Sequence, residues 1–369
     1  MSEEQSVSAA AGAFKLDGEF ESAVRYGSGH IHDTYSVRFE DGGRPMAHII
    51  LQHINTRIFK NPIVMMENIR RVTTHVRSRL DDVEDADRRV LQLVPTREGR
   101  AWHVDDKEQY WRAYRFIEGA KSFDEVNSER QAFEAAKSFG EFQRMLADLP
   151  GARLAETIPH FHDTPKRFTD FEWALDADAA GRAEHARDEI AFAMERRTTA
   201  SALVESALPE RVTHNDTKLN NVLLDEVTGQ GICVIDLDTV MPGLAAYDFG
   251  DMVRTMTCPA AEDEQDLSGV ELDFRLFESV LRGYLLGAEN FLTADERESL
   301  ITGARVIVFE QGVRFLADYL AGDTYYKVSR PGQNLDRCRT QFKLLESIER
   351  QEKAMRRLLA NLNANPQSA

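Results

Sequence analysis

Two short polar segments in the second half of the chain, residues 211–224 and 233–239, constrain its structure more than any other feature. The first segment carries Asp216 and, five positions later, Asn221. The second begins with an apolar run that predicts a strand ending at Asp236. Because short strands alternate with loops here, we expect the two acids and the amide to converge at one edge of the structure.

These residue types suit the transfer of a phosphoryl group from ATP. Such a transfer needs positioning and charge neutralisation more than covalent help from the protein. Mg²⁺ prefers hard oxygen ligands, so Asn221 and Asp236 are the predicted metal ligands. Asp216 is then left to accept the proton of the acceptor hydroxyl, and Lys218 can offset negative charge in the transition state. Each segment alone is also typical of a turn or a solvated strand end, but together they predict a kinase.

The composition excludes several classes of partner. The 369 residues carry a formal net charge of −17, with 42% hydrophobic and 29% charged residues. This acidic balance argues against nucleic acid and against an anionic membrane surface, so small molecules are the expected partners. Three widely spaced cysteines indicate neither a disulfide framework nor a zinc site.

The start of the chain, Met-Ser-Glu-Glu, is acidic and lacks the order of a signal peptide. No apolar stretch approaches the roughly 20 residues that a membrane-spanning helix needs. These observations predict a cytoplasmic protein, and a monomer is the default expectation.

The secondary-structure pattern changes once along the chain, near residues 111–119. Before that point β-type runs predominate, and the predicted strands are 21–26, 34–39, 47–52, 90–94 and 110–116, with one helix at 63–80. After it helical periodicity prevails, at 129–146, 183–208, 274–286, 295–320 and 337–359. The predicted fold is α+β and bilobal: a small β-rich N-terminal lobe with one helix (1–113), a hinge (114–120) and a larger, mainly α C-terminal lobe (121–369).

A glycine-rich loop lies between the first two predicted strands. Gly27, Ser28 and Gly29 would let backbone N–H groups approach a triphosphate closely, so we predict that they bind ATP. Gly-Ser-Gly is also typical of a plain hairpin turn, and only the acids downstream favour the phosphate interpretation. His32 and Asp33 follow on the same loop and are predicted to face the cleft as substrate contacts.

The third predicted strand has no lysine where many kinases hold the α- and β-phosphates. Gln52 occupies that position, and a neutral amide supplies no formal charge. Glu67, on the following helix, has no evident lysine to pair with, which favours a rival hypothesis of a catalytically weak nucleotide-binding module. The segment with Tyr114 and Phe116 is the predicted crossover between lobes, where backbone groups can pair with an adenine edge.

Three further acids follow the strand that ends at Asp236. Asp238, two residues later in an extended segment, is predicted to point the same way and to bind the metal or a sugar hydroxyl. Asp248 and Asp251 precede a predicted helical stretch, so we expect them to cap that helix or to support the catalytic loop.

The motif His214-x-Asp216-x4-Asn221 followed by Ile235-Asp236 resembles the aminoglycoside phosphotransferase and choline kinase superfamily, distant relatives of the protein kinases. The likeness extends to the bacterial N-acetylhexosamine 1-kinases through segments in both lobes: 29–35, 55–59, 212–221, 235–243, 248–251 and 314–320.

This resemblance implies a protein-kinase-like fold and the ATP- and Mg²⁺-dependent phosphorylation of the anomeric hydroxyl of N-acetylglucosamine and N-acetylgalactosamine. It implies that Asp216 is the base and that Asn221 and Asp236 hold the metal. The implied sugar contacts are Lys218, Asp238, Arg314 and Tyr325. The strand lysine is also absent in the family, which weakens the rival hypothesis.

The acceptor can also be considered without the resemblance. Sugar recognition needs planar acceptors and forked donors, which Asp33, Asp238 and Arg314 would supply. The acidic balance suits a cationic aminoglycoside, but the charge is spread along the chain, and choline would need an aromatic cage. We predict a sugar kinase, with an aminoglycoside, choline or homoserine kinase as the alternatives.

Overall fold

The computed structural model describes residues 3–27, 31–204 and 206–364. Its strands are β1 (Glu19–Arg25), β2 (Asp33–Asp41), β3 (Arg44–His53), β4 (His103–Val104), β5 (Tyr110–Arg115), β6 (Ala120–Lys121), β7 (Arg211–Thr213), β8 (Val222–Asp225), β9 (Gly231–Val234) and β10 (Met241–Gly243). Its helices are α1 (Glu3–Gly12), α2 (Pro62–Ser78), α3 (Glu129–Met145), α4 (Thr164–Ala177), α5 (Arg187–Glu195), α6 (Ala245–Met256), α7 (Phe274–Ala288), α8 (Ala294–Ala321) and α9 (Gln333–Ala364).

The chain divides into two compact units, and each contains more than one stretch of sequence. The first unit comprises Met1–Asp124, Asp148–Pro159 and Val222–Met241. The second comprises Glu125–Ala147, His160–Asn221 and Pro242–Ala369.

The first unit is built on an antiparallel sheet in the order β1-β2-β3-β5-β4. The alternation of apolar residues along β2 and β3 buries Val37, Ile49 and Leu51 on one face, as expected for a half-buried sheet. Helix α1 contributes Val7 and Ala10 to this core, so the first residues described are part of the packed structure.

Helix α2 begins where its sequence predicts. Asn61 caps it by accepting a hydrogen bond from the Val64 N–H (3.2 Å), and Pro62 occupies the first turn, where no N–H is needed. The buried Asn68 in this helix donates to the carbonyl oxygens of Ala155 (2.8 Å) and Val240 (3.1 Å). The side chain of Asn68 therefore fixes the chain that follows Asp238 against α2.

A smaller sheet, β6-β8-β9, completes the first unit. Strands β8 and β9 form a hairpin in which Val222 pairs with Val234. Directly after β9, Asp236 adopts a left-handed backbone conformation (φ 59°), which is uncommon for a residue other than glycine. The turn residues Leu237–Thr239 then form a single 3₁₀ turn.

The second unit is mainly helical. Helix α8 starts with a capping box between Thr293 and Glu296 and ends at Gly322 in the left-handed conformation. At the crossing of α3 and α7, a side chain on Gly283 would collide with the backbone carbonyl of Phe133, so this contact requires a residue without a Cβ atom.

The predicted α+β class is confirmed, with the sheet in the N-terminal part and mostly helices in the C-terminal part, but several elements differ. Residues 90–94 form only an isolated bridge, at Leu93, and the fifth strand is β4 instead. The first unit has two α-helices where one was predicted, because α1 was missed. The predicted helix 183–208 is broken into 3₁₀ turns around α5, and α4 was not predicted.

None of the helices in the described parts of the chain is both long enough and apolar enough to cross a membrane.

Candidate active site

The loop between β7 and β8 brings three predicted residues of the second unit together. The amide nitrogen of Asn221 donates to the backbone oxygen of Asp216 (2.8 Å) and to its carboxylate (3.0 Å). The Lys218 ammonium lies 3.0 Å from the same carboxylate. Since the nitrogen of the Asn221 amide faces Asp216, its oxygen is the atom that can ligate a cation.

The charge of Asp216 is supported by its neighbours. Burial by itself would raise the pKa of Asp216, but Lys218, His214 and the Asn221 amide hold it below its ordinary value. The carboxyl group is therefore ionised at neutral pH, as a proton acceptor has to be, and its side chain keeps 24% of its surface exposed.

Asp248 holds the backbone of this loop from inside the second unit. Its buried carboxylate accepts the N–H groups of His214 (2.8 Å) and Asn215 (2.7 Å), and Gln143 donates to it as well (2.5 Å). The prediction that Asp248 and Asp251 precede a helix is wrong, since both lie inside α6, whose N-cap position is Leu244. The contacts of Asp248 show that it supports the loop between β7 and β8, which is the alternative role.

A buried pair holds the same loop from the carbonyl side. His162 lies 3.2 Å from the Asn215 carbonyl oxygen through Nε2 and 2.8 Å from Glu310 through Nδ1. The hydroxyl of Thr164 donates to the second oxygen of Glu310 (2.6 Å). Asn215 itself has a left-handed backbone (φ 64°), so its peptide groups are fixed on both sides in a sparsely populated conformation.

In the first unit, Asp238 is the centre of a buried charged cluster. Arg112 of β5 contacts both oxygens of Asp238, with Nη2 donating to Oδ2 at 2.8 Å, and His32 contacts Oδ2 through Nε2. Although burial raises the pKa of Asp238 by itself, Arg112 and His32 lower it overall. Because the Asn55 N–H donates to Nδ1 of His32 (3.0 Å), the ring proton is on Nε2 and points at Asp238.

Gln52, which occupies the position of the missing lysine, joins this cluster. It pairs with Arg112 across β3 and β5, and its oxygen accepts from Nε of Arg112 (2.8 Å), while its nitrogen donates to Thr34 (3.0 Å). Glu67 pairs with Arg70 on its own helix (2.7 Å). Gln52 therefore contacts the ion pair of Arg112 with Asp238, whereas the α2 acid pairs within its own helix.

Asp236 is suited to a divalent cation by its chemistry and backbone. It is a hard carboxylate ligand on a strained left-handed residue at the end of a hairpin, and such strain is concentrated at functional sites. No cluster of three or more His, Cys, Asp or Glu side chains that could hold a metal occurs within residues 3–27, 31–204 and 206–364.

The glycine-rich loop is described only in part. Gly27 has φ 78°, which favours glycine, whereas Ser28 and Gly29 lie outside the described residues. At the start of this loop the Tyr26 ring meets that of Phe116 edge to face, with 5.6 Å between centroids.

The two aromatic residues of the predicted hinge, Tyr114 and Phe116, have different surroundings. Phe116 stacks on His48 (3.7 Å between centroids), and its N–H donates to the His48 carbonyl oxygen (3.0 Å). Tyr114 is buried, and burial raises the pKa of its phenol. Its cation–π neighbour is Arg112, at 5.4 Å from the ring centre.

Asp33 has partners of its own in the first unit. Its oxygens lie 2.7 Å from Arg25 and 3.1 Å from His53. Arg25, more than any other group, lowers the pKa of Asp33, and about half of the Asp33 side chain is exposed. Its predicted contact with a substrate stays a prediction.

Arg314 and Tyr325 line one pocket of the second unit. The pocket has a volume of about 250 Å³ and is lined by Arg167, Asp170, Ala174, Arg314, Ala317, Asp318, Ala321, Tyr325 and Tyr326. Gln311 accepts a hydrogen bond from Arg314 (3.1 Å), and the Phe161 ring lies under its guanidinium (5.5 Å). Tyr325 is 62% exposed, so its ring is accessible to a ligand.

Sequence reasoning missed Arg112, His162 and Glu310. Each is paired with a residue more than 100 positions away, so no local pattern identifies the pair. A signal for Arg112 was present, since an arginine within an otherwise apolar strand needs a partner for its charge.

Comparisons with known proteins bear on the family and the fold of the chain. A model of the phosphotransferase enzyme family (APH) matches residues 22–284. Among solved structures, a microcompartment-associated aminopropanol kinase is 18% identical with a TM-score of 0.61, covering 95% of this chain and 98% of that one. An aminoglycoside phosphotransferase from Alicyclobacillus acidocaldarius is 12% identical with a TM-score of 0.61, covering 96% of each chain.

A third similar structure is an amicoumacin kinase in complex with AMP-PNP, Ca²⁺ and amicoumacin, which is 14% identical with a TM-score of 0.58 and covers 93% of each chain. Likenesses at such low identity bear on the fold, and they confirm the predicted kinase-like fold. The match of the family model over residues 22–284 shows that the chain belongs to the phosphotransferase enzyme family.

Proposed function

We propose that this chain is an ATP- and Mg²⁺-dependent kinase that phosphorylates the anomeric hydroxyl of an N-acetylhexosamine. The observation that carries the proposal is the contact of the Asp216 carboxylate with both Asn221 and Lys218. It combines an ionised proton acceptor, a cation and an amide ligand, which is what phosphoryl transfer to a hydroxyl needs.

In this proposal Asp216 accepts the proton of the acceptor hydroxyl and Lys218 offsets the charge that develops on the transferred group. Asn221 and Asp236 would hold Mg²⁺, which neutralises phosphate charge when bound.

We propose that the first unit binds ATP through the Gly27–Gly29 loop and the hinge. The Tyr26 and Phe116 rings meet at the start of that loop and form an apolar surface suited to a base. Gln52 is engaged by Thr34 of β2 and Arg112 of β5, so we propose that it contributes to nucleotide binding by holding these strands together.

The pocket of Arg314 and Tyr325 favours a sugar as the acceptor. Its volume of about 250 Å³ is slightly below the roughly 300–1,000 Å³ of small-ligand pockets, which suits one sugar ring better than a multi-ring antibiotic. Forked donors and phenolic rings suit hydroxyl and acetamido groups. His32, Asp33 and Asp238 belong to the first unit, and their contact with a sugar stays a prediction.

A choline-type alcohol is the second candidate. Tyr325 and Tyr326 place two rings 4.9 Å apart in the same pocket, and aromatic rings attract quaternary ammonium groups. Two arginines, Arg167 and Arg314, and two acids, Asp170 and Asp318, line that pocket too, so its charges do not by themselves favour a cation.

An acceptor panel tests the proposal. ADP release should be measured with N-acetylglucosamine, N-acetylgalactosamine, glucose, kanamycin, choline and homoserine, and the phosphorylated position should be assigned by ³¹P NMR. We expect turnover with the two N-acetylhexosamines and none with their 1-O-methyl glycosides, which lack the anomeric hydroxyl. Turnover of a 1-O-methyl glycoside would reject the anomeric assignment. Binding of ATP without turnover of any acceptor would support the rival hypothesis of a catalytically weak nucleotide-binding module.

A variant at the proposed base makes the test specific. Asp216→Asn should lower kcat by about 10²–10⁴-fold, the usual contribution of a positioned base, while ATP binding is retained. Asp176→Asn, the same change at an exposed position of α4, is the matched control. Unchanged kcat in Asp216→Asn would remove Asp216 from its role.

A further inference from the structure

His162 lies in the loop before α4 and is enclosed by the second unit. Its side chain is 8% exposed, and the rings of Phe161 and Tyr247 lie 4.7 Å and 5.3 Å from its own. Both of its ring nitrogens have partners, Glu310 at 2.8 Å and the Asn215 carbonyl oxygen at 3.2 Å. The reaction proposed above assigns no role to this side chain.

The two partners determine the protonation of the ring. A carbonyl oxygen can only accept a hydrogen bond, and an ionised carboxylate can only accept one as well. Glu310 is ionised, since its second oxygen accepts the Thr164 hydroxyl and its pKa, which burial alone would raise, is lowered chiefly by His162. A neutral imidazole has one N–H and could satisfy only one partner, so the geometry requires an imidazolium.

We infer that His162 is a positioning residue whose doubly protonated ring holds the Asn215–Asp216 peptide in the orientation that Asp216 needs as a proton acceptor. This inference rests on the proposed function of Asp216.

Asn215, the residue before Asp216, is constrained on both sides, through its own N–H and through the carbonyl of the Asn215–Asp216 peptide. The Asp248 carboxylate accepts a hydrogen bond from the Asn215 N–H (2.7 Å), and Nε2 of His162 donates one to the Asn215 carbonyl oxygen (3.2 Å). Asn215 has φ 64°, a conformation that costs free energy in a residue other than glycine and persists only when its surroundings impose it. Because the peptide bond is planar, fixing the carbonyl of Asn215 also fixes the N–Cα bond of Asp216.

The arrangement makes the loop sensitive to alkaline pH. The charged and titratable groups around His162 are Glu310 and Arg314 of α8, and Asp251 and Tyr247 of α6. Burial alone would lower the pKa of His162, but Glu310 raises it above its ordinary value. As pH rises through that raised pKa, the ring loses one proton and one of its two hydrogen bonds.

NMR tests the inference without any need for turnover. In protein with ¹⁵N-labelled histidine, both ring nitrogens of His162, assigned with His162→Gln, should have imidazolium shifts at pH 7.5, and Glu310→Gln should convert the ring to the neutral form at that pH. The amide signal of Asp216 should titrate together with His162 in the wild type and not in His162→Gln. A neutral ring in the wild type, or an Asp216 amide that does not follow the ring, would overturn the inference.

Kinetics tests the consequence for catalysis. His162→Gln should lower kcat about 10-fold, less than the roughly 100-fold that a 1 Å misplacement can cost, with little change in KM for ATP. It should also abolish the alkaline fall in kcat at the pH where the wild-type ring titrates. His160→Gln, two residues away with an exposed ring paired to Asp163 (3.0 Å), is the control and should behave as the wild type.

An unaltered alkaline limb in His162→Gln would overturn the positioning role. If no acceptor is phosphorylated by the wild type, the proposed function fails, whereas the two NMR titrations still decide whether His162 holds the Asp216 peptide.

Discussion

At the scale of single residues, the first unit uses an unusual ion pair. A fully buried guanidinium, Arg112, faces the buried carboxylate of Asp238, and His32 and Gln52 complete the hydrogen bonds of the pair. Two desolvated charges are stable only when each finds a partner and its remaining polar atoms are bonded. Asp238 therefore has a structural role whatever it contacts in a ligand.

Removing one member of this ion pair should lower the free energy of unfolding. Arg112→Met is expected to destabilise the protein by about 3–5 kcal/mol, since it leaves Asp238 charged and buried without its partner. Arg112→Lys keeps the charge but loses the two-pronged contact, so its loss should be smaller. Urea unfolding followed by circular dichroism would measure both changes, and equal losses in the two variants would show that the charge of Arg112 does not matter.

At the scale of elements, the sequence was most informative where the pattern of polar and apolar residues continues along a whole strand or helix. The sheet strands β1, β2, β3 and β5 and the long helices α7, α8 and α9 were predicted within a few residues. Helix α1 was missed although Val7, Ala10 and Ala11 have helical spacing, because its apolar face is made mostly of small residues. Residues 90–94 have strand-like composition, but the chain crosses β5 at a single bridge.

The candidate site, too, could be predicted from the sequence only where its residues belong to one local pattern. Asp216, Lys218 and Asn221 were predicted from one local motif, and the structure brings them into contact. The groups that hold them, Asp248, His162 and Glu310, come from distant elements, and their partners depend on tertiary packing that no spacing encodes.

The loop after α8 illustrates how one buried acid can shape an element. Asp318 accepts the N–H groups of Thr324 (2.9 Å), Tyr325 (2.8 Å) and Tyr326 (3.0 Å), and Asn334 donates to it as well (2.9 Å). This one carboxylate fixes the loop that presents Tyr325 to the pocket.

Asp318→Asn should therefore loosen that loop. The amide has one acceptor oxygen in place of two, and a buried N–H left unsatisfied costs about 1–3 kcal/mol. We expect KM for the sugar to rise about 5–10-fold, equivalent to roughly 1–1.4 kcal/mol, with KM for ATP unchanged. Thr324→Ala removes only a hydroxyl contact at 3.3 Å and is the control. An unchanged KM for the sugar would exclude Tyr325 and its loop from acceptor binding.

At the scale of the whole molecule, the net charge of −17 makes the response to acid the most general physical test of the structure. Several carboxyl groups have pKa values below their ordinary range, among them Asp225, whose pKa is lowered by the Thr228 N–H and by Arg88. A group whose pKa is lower in the folded than in the unfolded state stabilises the fold above the unfolded value, about 4, and that contribution is lost as pH falls.

We therefore expect the midpoint temperature of unfolding to fall steadily as the pH is lowered below about 5. This acid effect is separate from the effect of His162, which belongs to alkaline pH. Asp225→Asn should flatten this fall, since an amide keeps acceptors for the Val227 and Thr228 N–H groups but has no charge to lose. Asp106→Asn, in an exposed turn of the same unit, removes the same formal charge and should leave the slope as it is in the wild type.

Equal slopes in the Asp225 and Asp106 variants would mean that the contacts of Asp225 with Arg88 and Thr228 do not favour its ionised form, and that total charge alone governs acid unfolding. Differential scanning calorimetry between pH 3 and pH 8 would distinguish the two, because the Asp225 contribution is constant above the pKa of an unfolded carboxyl group and is lost below it, whereas a total-charge effect changes the midpoint over the whole range.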